Sequence, residues 1–215
     1  MIESTQYKNL ENMVHRGTTT IAIVCQDGIV FGTDTRVTMG FFIAHKYGKK
    51  VYKIDEHLAM TIAGVVADAQ NVVEILKANI NLYHLDKERP IPVSAAARLA
   101  ANLLFSARAS PLILQALIGG IDDSGSHIFA IDPLGSVIEE TCVSTGSGSP
   151  VAYGVLEDRY RKTMTIKEGI PLVVSAVTSA MKRDAGSGDS FDIVVINKEG
   201  YRELTDEEKK AIERN

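Results

Sequence analysis

A glycine and three threonines, residues 17–20, stand between a polar leader and the first apolar strand of the sequence. A threonine hydroxyl inside a chain is a poor nucleophile, because no base is attached to it. Cleavage of the bond between Gly17 and Thr18 would give one residue both a hydroxyl and a free α-amine. A nucleophile paired with a base is a recognised catalytic arrangement. Thr18 is therefore a candidate nucleophile, and an ordinary strand start is the alternative interpretation.

Composition and charge limit the classes of protein to consider. The 215-residue chain is 45% hydrophobic and 23% charged, which is typical of one soluble globular domain with a sizeable core. Its net charge of −4 argues against nucleic acid as a partner. Residues 1–17 lack the apolar region of a secretory signal, and residues 112–121, the most apolar stretch, are too short to span a bilayer. We expect a cytoplasmic protein in which Cys25 and Cys142 are reduced thiols.

The pattern of apolar residues predicts an α+β fold. Short alternating or β-branched runs predict strands at residues 18–25, 29–34, 50–54, 58–63, 114–121, 127–131, 136–142 and 191–197. Helical spacing of apolar residues predicts helices within 69–83, 96–107, 152–160 and 166–182, with a charged helical tail at 205–215. Because short turns join most neighbouring strands, we expect mainly antiparallel sheets with helices on their outer faces.

Two local features refine the helix at 166–182. Thr165 and Glu168 have the spacing of a capping box, which predicts that the helix begins directly after Thr165. Pro171 lies a few residues further on and should bend the helix or delay its start, because proline has no N–H to donate.

Other familiar catalytic motifs are absent from the sequence. It contains no Walker-type loop, no glycine-rich dinucleotide pattern after a strand, no Gly-x-Ser-x-Gly elbow and no His-Glu-x-x-His. The five histidines lack the spacing of metal ligands. Residues 146–149 would suit an anion at a helix N-terminus, but an ordinary loop and helix cap is the preferred interpretation. We expect neither a metal nor an organic cofactor.

The sequence as a whole closely resembles a proteasome β subunit, and most of all the archaeal type. The resemblance rests on segments that keep the family's order, at residues 17–20, 33–40, 45–50, 60–64, 67–70, 117–122, 145–149, 153–157 and 181–189. It implies the N-terminal-nucleophile hydrolase fold, which is a four-layer αββα sandwich of two antiparallel sheets flanked by helices. It also implies a threonine-type endopeptidase that degrades unfolded proteins.

The resemblance implies that the leader is a covalent cap on the nucleophile. Residues 1–17 would be a propeptide removed by autocatalysis between Gly17 and Thr18, and residues 18–215 the catalytic domain. The freed amine of Thr18 has a reference pKa of about 7.7–8, so it can accept the hydroxyl proton near neutral pH. Before cleavage the same nitrogen is an amide without usable basicity, so that the precursor is a latent enzyme.

Residues around Thr18 are assigned by the same resemblance. Lys50 is the cation that keeps the amine unprotonated, Asp34 holds Lys50 by a charge-assisted hydrogen bond, and Arg36 supports this cluster. The backbone N–H of Gly64 donates to the oxyanion, a contribution of roughly 2.7–4 kcal/mol in comparable sites. The positions that orient the amine and a nearby water are Ser147, Asp184 and Ser187.

Specificity and partners are also implied by the family. Its pocket positions fall on three apolar residues, Val37, Ile62 and Val66, from which we predict cleavage after large hydrophobic residues. The active form would be a seven-membered β ring, paired with a second ring and flanked by α-subunit rings. A regulatory ATPase would deliver unfolded polypeptides to it. Neither nucleic acid nor a membrane is an implied partner.

Two alternative functions remain open from the sequence. The first is a non-catalytic ring subunit, against which the presence of Gly17, Thr18, Asp34 and Lys50 together argues. The second is a simpler two-ring protease of the bacterial type with an N-terminal threonine. Residues 146–149 and 184–187 fit the proteasome better than this second class.

Overall fold

Blocks of strands and pairs of helices alternate along the chain. The structure, a computed structural model, describes residues 17–213; residues 1–16, the greater part of the predicted propeptide, and the last two residues lie outside it. The described elements are β1 (Thr20–Cys25), β2 (Gly28–Asp34), β3 (Val37–Met39), β4 (Phe42–His45), β5 (Val51–Asp55), β6 (Leu58–Gly64), α1 (Val66–Lys87), α2 (Val93–Ser106), β7 (Leu114–Asp122), β8 (Gly125–Ile131), β9 (Val137–Glu140), β10 (Cys142–Thr145), α3 (Ser149–Arg159), α4 (Ile166–Met181), β11 (Phe191–Asn197), β12 (Gly200–Glu203) and α5 (Asp206–Glu213).

Two five-stranded sheets form the centre of the molecule. Their strand orders are β10-β1-β2-β11-β12 and β5-β6-β7-β8-β9, and β3 pairs with β4 in a separate ribbon. Neighbouring strands are antiparallel throughout these sheets. The prediction of antiparallel sheets is confirmed.

Three apolar layers hold the sheets and helices together. Helices α1 and α2 pack on the second sheet, where Leu76 and Leu104 meet Met60. Helices α3 and α4 pack on the first sheet in the same way. A third cluster, which includes Phe31 and Leu117, joins the two sheets face to face. The order helix, sheet, sheet, helix confirms the predicted four-layer αββα sandwich.

Strand β1 contributes side chains to two of these layers, because successive side chains of a strand point to opposite faces. Ile21 packs toward helices α3 and α4, whereas Ala22 packs between the sheets. Thr20 points in the same direction as Ala22, and its Oγ1 accepts a hydrogen bond of 3.2 Å from Thr61 in the other sheet. The first strand is therefore anchored on both faces directly after the candidate nucleophile.

Helix α4 begins where its sequence predicts. The Glu168 N–H donates to Thr165 Oγ1, and the Thr165 N–H donates to a Glu168 carboxylate oxygen, so that the predicted capping box is present. The helix runs from Ile166 to Met181 with Pro171 inside it. Pro171 therefore does not delay the start of the helix, because the cap fixes the first turn before the proline is reached.

Two regions differ from the predicted elements. Residues 136–142, predicted as one strand, contain β9 and the first residue of β10, which belong to different sheets. Only Thr141 separates the two strands, and no glycine or proline marks the change of sheet. The β3–β4 ribbon and β12 were not predicted, because these short strands have no continuous buried face; Phe42, for example, is 68% exposed.

The two cysteines agree with the expectation of unpaired thiols. Cys25 and Cys142 are free thiols, which confirms that they are not paired. Burial raises the pKa of each thiol to about 12, so both stay protonated near neutral pH. Between residues 17 and 213, no helix has the length and apolar character needed to cross a membrane.

Candidate active site

Thr18 lies two residues before β1 with its hydroxyl against the Gly17–Thr18 peptide bond. The residue is 5% exposed, and its Oγ1 donates to the carbonyl oxygen of Gly17 over 2.6 Å. The Thr18 N–H donates to Ser147 Oγ over 3.2 Å. Because Gly17 precedes Thr18, this nitrogen is a peptide amide and not a basic amine.

Asp34 connects the candidate lysine to the backbone beside Thr18. It ends β2, and its Oδ1 accepts hydrogen bonds from Lys50 Nζ at 2.7 Å and from the Thr19 N–H at 2.8 Å. The Arg36 and Gly188 N–H groups donate to the other oxygen, Oδ2, at 3.0 and 3.1 Å. With four donors the carboxylate is held in one orientation, and it holds Lys50 in turn.

Both members of the Asp34–Lys50 pair are buried, with side chains 0% and 8% exposed. Burial raises the pKa of the Asp34 carboxyl, against the opposing effects of the Lys50 charge and the N–H donors. Burial also lowers the pKa of the Lys50 ammonium, against the charge of Asp34. Since both shifts favour the neutral forms, Lys50 is better able to release and accept a proton than a surface lysine.

A second polar cluster orients the backbone nitrogen of Thr18. Asp184 Oδ2 accepts hydrogen bonds of 2.6 Å from the hydroxyls of Ser147 and Ser187. Ser187 Oγ also lies 2.7 Å from Thr19 Oγ1. Because Ser147 donates to Asp184, its oxygen is free to accept the Thr18 N–H. The three positions that the resemblance assigned to orientation are thus brought together beside Thr18.

A cavity of about 580 Å³ opens beside Thr18 and contains the remaining predicted positions. Thr18, Lys50 and Gly64 are among the residues that line it. The predicted pocket residues and several other side chains complete its wall: Val37, Ile62, Val66, Met39 and Tyr52. The cavity can therefore accept an apolar side chain next to Thr18.

Gly64 occupies a position that only glycine suits. It ends β6 with a φ of 146°, a backbone conformation that residues with a Cβ rarely adopt. A Cβ there would lie 2.0 Å from the carbonyl oxygen of Ile113. The backbone of Gly64 can consequently line the cavity, as an oxyanion donor must.

Sequence reasoning assigned no role to several residues of the β3–β4 ribbon that contact Gly17 or line the cavity. Thr38 Oγ1 accepts the Gly17 N–H at 3.0 Å, and Ala44 and His45 line the cavity. The only sequence signal is the short alternation at residues 37–39, which is too brief to predict a strand.

Fold and site together define the class of protein. A threonine that shares a cavity with the lysine of a buried lysine–aspartate pair and stands at the start of an αββα sandwich is the arrangement of an N-terminal-nucleophile hydrolase. The orientation cluster and the apolar cavity on either side of the threonine fit the same class.

Comparison with known proteins identifies the family. The family model described as proteasome subunit matches residues 14–196. The chain is 50% identical over 204 residues to the proteasome subunit beta of Ferroglobus placidus, covering 94% of this chain and 97% of the relative. It is 50% identical over 200 residues to that of Methanothermobacter thermautotrophicus, covering 92% and 95%. The chain belongs to the proteasome subunit family.

Proposed function

We propose that Thr18 is the nucleophile with which this chain, a catalytic β subunit of the 20S proteasome core, hydrolyses peptide bonds. The supporting observation is that Thr18, Lys50 and Gly64 line one cavity. Asp34 adds to this, because it hydrogen-bonds both Lys50 and the N–H of Thr19. A nucleophile, a cation of lowered pKa and an oxyanion donor therefore face the same space.

Removal of residues 1–17 is the first reaction of the site. Thr18 Oγ1 attacks the carbonyl carbon of Gly17 and gives its proton to Lys50 in its neutral form, which burial favours. The C–N bond breaks as the nitrogen takes up this proton from Lys50, which leaves Gly17 joined to Thr18 by an ester. Water then hydrolyses the ester, releasing the leader with a terminal carboxylate and leaving Thr18 with both hydroxyl and amine.

Substrate hydrolysis repeats these steps with the new amine as base. The Lys50 charge disfavours protonation of the amine, and Ser147, Asp184 and Ser187 orient it. The Gly64 N–H donates to the oxyanion that forms on the substrate carbonyl. The acyl ester on Thr18 is hydrolysed by water, and the amine returns to its free form.

Selectivity follows from the cavity wall. Val37, Ile62 and Val66 carry no charge and lie beside Thr18, so a large apolar side chain before the scissile bond is preferred over a charged one, whose desolvation would be uncompensated.

Assembly and location extend the same proposal. The active form is a seven-membered ring of β subunits, paired with a second ring and flanked by α-subunit rings. Unfolded polypeptides reach it with the help of a regulatory ATPase in the cytoplasm. Family membership supports this arrangement, because the relatives named above are subunits of a proteasome.

Intact mass after assembly with an α subunit tests the proposal. We expect wild-type chains to lose residues 1–17 and Thr18→Ala chains to keep them. The wild-type assembly should also cut fluorogenic peptides faster after leucine or phenylalanine than after lysine or aspartate. An alanine variant that is trimmed after Gly17 and still hydrolyses peptides contradicts the nucleophile, and faster cleavage after charged residues contradicts the pocket.

A further inference from the structure

Asp189 has an unusual backbone conformation close to the active site. Its φ is 66°; Glu88 is the other described residue besides glycine with a positive φ. Glu88 follows the end of α1, where a left-handed residue is common. Asp189 instead lies in the loop between α4 and β11, two residues after Ser187. Aspartate adopts this conformation more readily than most residues with a Cβ, and contacts from elsewhere hold it here.

Arg36 provides these contacts. Its Nε donates to Asp189 Oδ2 over 2.7 Å, and its Nη1 donates to the carbonyl oxygen of Ala185 over 2.9 Å. The side chains of Arg36 and Asp189 are only 21% and 15% exposed. One guanidinium therefore joins both ends of the segment 185–189.

The segment 185–189 contains two groups that hydrogen-bond to carboxylates of the candidate active site. The Gly188 N–H donates to Asp34 Oδ2 at 3.1 Å, and Ser187 hydrogen-bonds Asp184. The backbone of Gly188 also lies against the guanidinium, since a Cβ on this residue would be 2.3 Å from Arg36 Nη2. The direction of the Gly188 N–H thus depends on where Arg36 holds the chain.

We propose that the Arg36–Asp189 ion pair positions the segment 185–189 so that Gly188 and Ser187 reach the two carboxylates of the active site. Asp189 is a positioning residue: it does not line the cavity and acts through Asp34 and the orientation cluster. The proposal rests on the function proposed above for those groups. It assigns Asp189 a role in turnover and none in substrate binding.

Three substitutions at Asp189 separate its hydrogen bond from its backbone conformation. Asp189→Asn keeps an acceptor oxygen and tolerates the left-handed conformation. Asp189→Gly adopts that conformation freely but removes the acceptor, and Asp189→Ala loses both. In the assembled, processed enzyme we expect kcat to stay within about threefold for Asn, to fall roughly ten- to hundredfold for Gly, and to fall further for Ala. KM should be unchanged in all three.

Two further variants complete the experiment. Asp206→Ala removes a surface ion pair with Lys209 whose carboxylate side is 84% exposed, and should leave kcat unaltered. Arg36→Lys keeps the charge but loses the fork that spans Ala185 and Asp189, and should lower kcat as Asp189→Gly does. It supplies the test if the Asp189 variants fail to fold.

Several outcomes would overturn the proposal. A kcat of wild-type size in Asp189→Gly would show that the ion pair is dispensable. A fall in kcat as large in Asp189→Asn as in Asp189→Ala would show that an acceptor oxygen at this position does not preserve turnover. A rise in KM alone would place the effect in binding. Hydrolysis by the wild type that does not depend on Thr18 would instead contradict the function proposed for the chain.

Discussion

The two halves of strand β2 are equally buried but chemically opposite. Every residue from Gly28 to Asp34 is buried. In the first half Ile29 and Phe31 pack between the sheets at 0% exposure. In the second half Thr33 and Asp34 are also 0% exposed, although both are polar. The change occurs within three residues, at the point where the strand reaches Thr18.

The apolar half of β2 contributes to the stability of the fold, whereas the polar half does not. Burial of a large apolar side chain such as Phe31 stabilises the fold by about 1.5–3 kcal/mol. Burial of the Asp34–Lys50 pair has a desolvation cost of several kcal/mol for each ion, which their attraction and hydrogen bonds only offset. The polar half is therefore best explained by the chemistry that it supports.

The largest effect is expected from removing Lys50, the cation that pairs with Asp34 at the end of the polar half. Lys50→Met keeps an unbranched buried side chain but loses the charge and the proton-accepting group. We expect peptide hydrolysis, measured as kcat/KM in the assembled enzyme, to fall by about 10³ or more, and leader removal to stop.

Lys53→Met is the matched control for this change. Lys53 lies on β5 close to Lys50, but it is 41% exposed and pairs with Glu56 at the surface. It should leave both reactions unaltered, because exposed pairs contribute little. Retention of a tenth of the activity by Lys50→Met would contradict the role given to Lys50.

A smaller effect should show that part of the polar half is unfavourable for stability. Thr33 Oγ1 is buried and forms no hydrogen bond within the described part of the chain. Thr33→Val keeps the shape and removes the unpaired hydroxyl, so the free energy of unfolding in urea should rise by about 1 kcal/mol.

Thr61→Val is the matched control on the facing sheet. Its hydroxyl donates to Thr20 Oγ1, so the same substitution should lower the free energy of unfolding by about 1 kcal/mol. If both variants change stability in the same direction, the distinction between a paired and an unpaired hydroxyl fails.

Antiparallel sheets with outer helices were predictable from the apolar patterns, whereas the four-layer sandwich came from the family resemblance. Strands β2 and β11 contain uninterrupted apolar runs at residues 29–31 and 193–196. A short turn predicts that β1 pairs with β2, but the pairing of β2 with β11 joins distant parts of the chain. The grouping of Thr18, Asp34 and Lys50 came from the family resemblance, and their roles stay predictions. Asp189 and Thr38 could not be found, because their positions depend on contacts with Arg36 and Gly17 that only the folded chain creates.

The central claim is that Thr18 catalyses hydrolysis with its own freed amine as base. It is tested most directly by assembling chains that begin at Thr18 with the amine free, N-methylated or N-acetylated, and measuring peptide hydrolysis. The free and methylated amines are both basic, whereas the acetylated nitrogen is an amide. We predict activity in the first two and a loss of about 10² or more in the third. Equal activity of the acetylated chain would contradict the account.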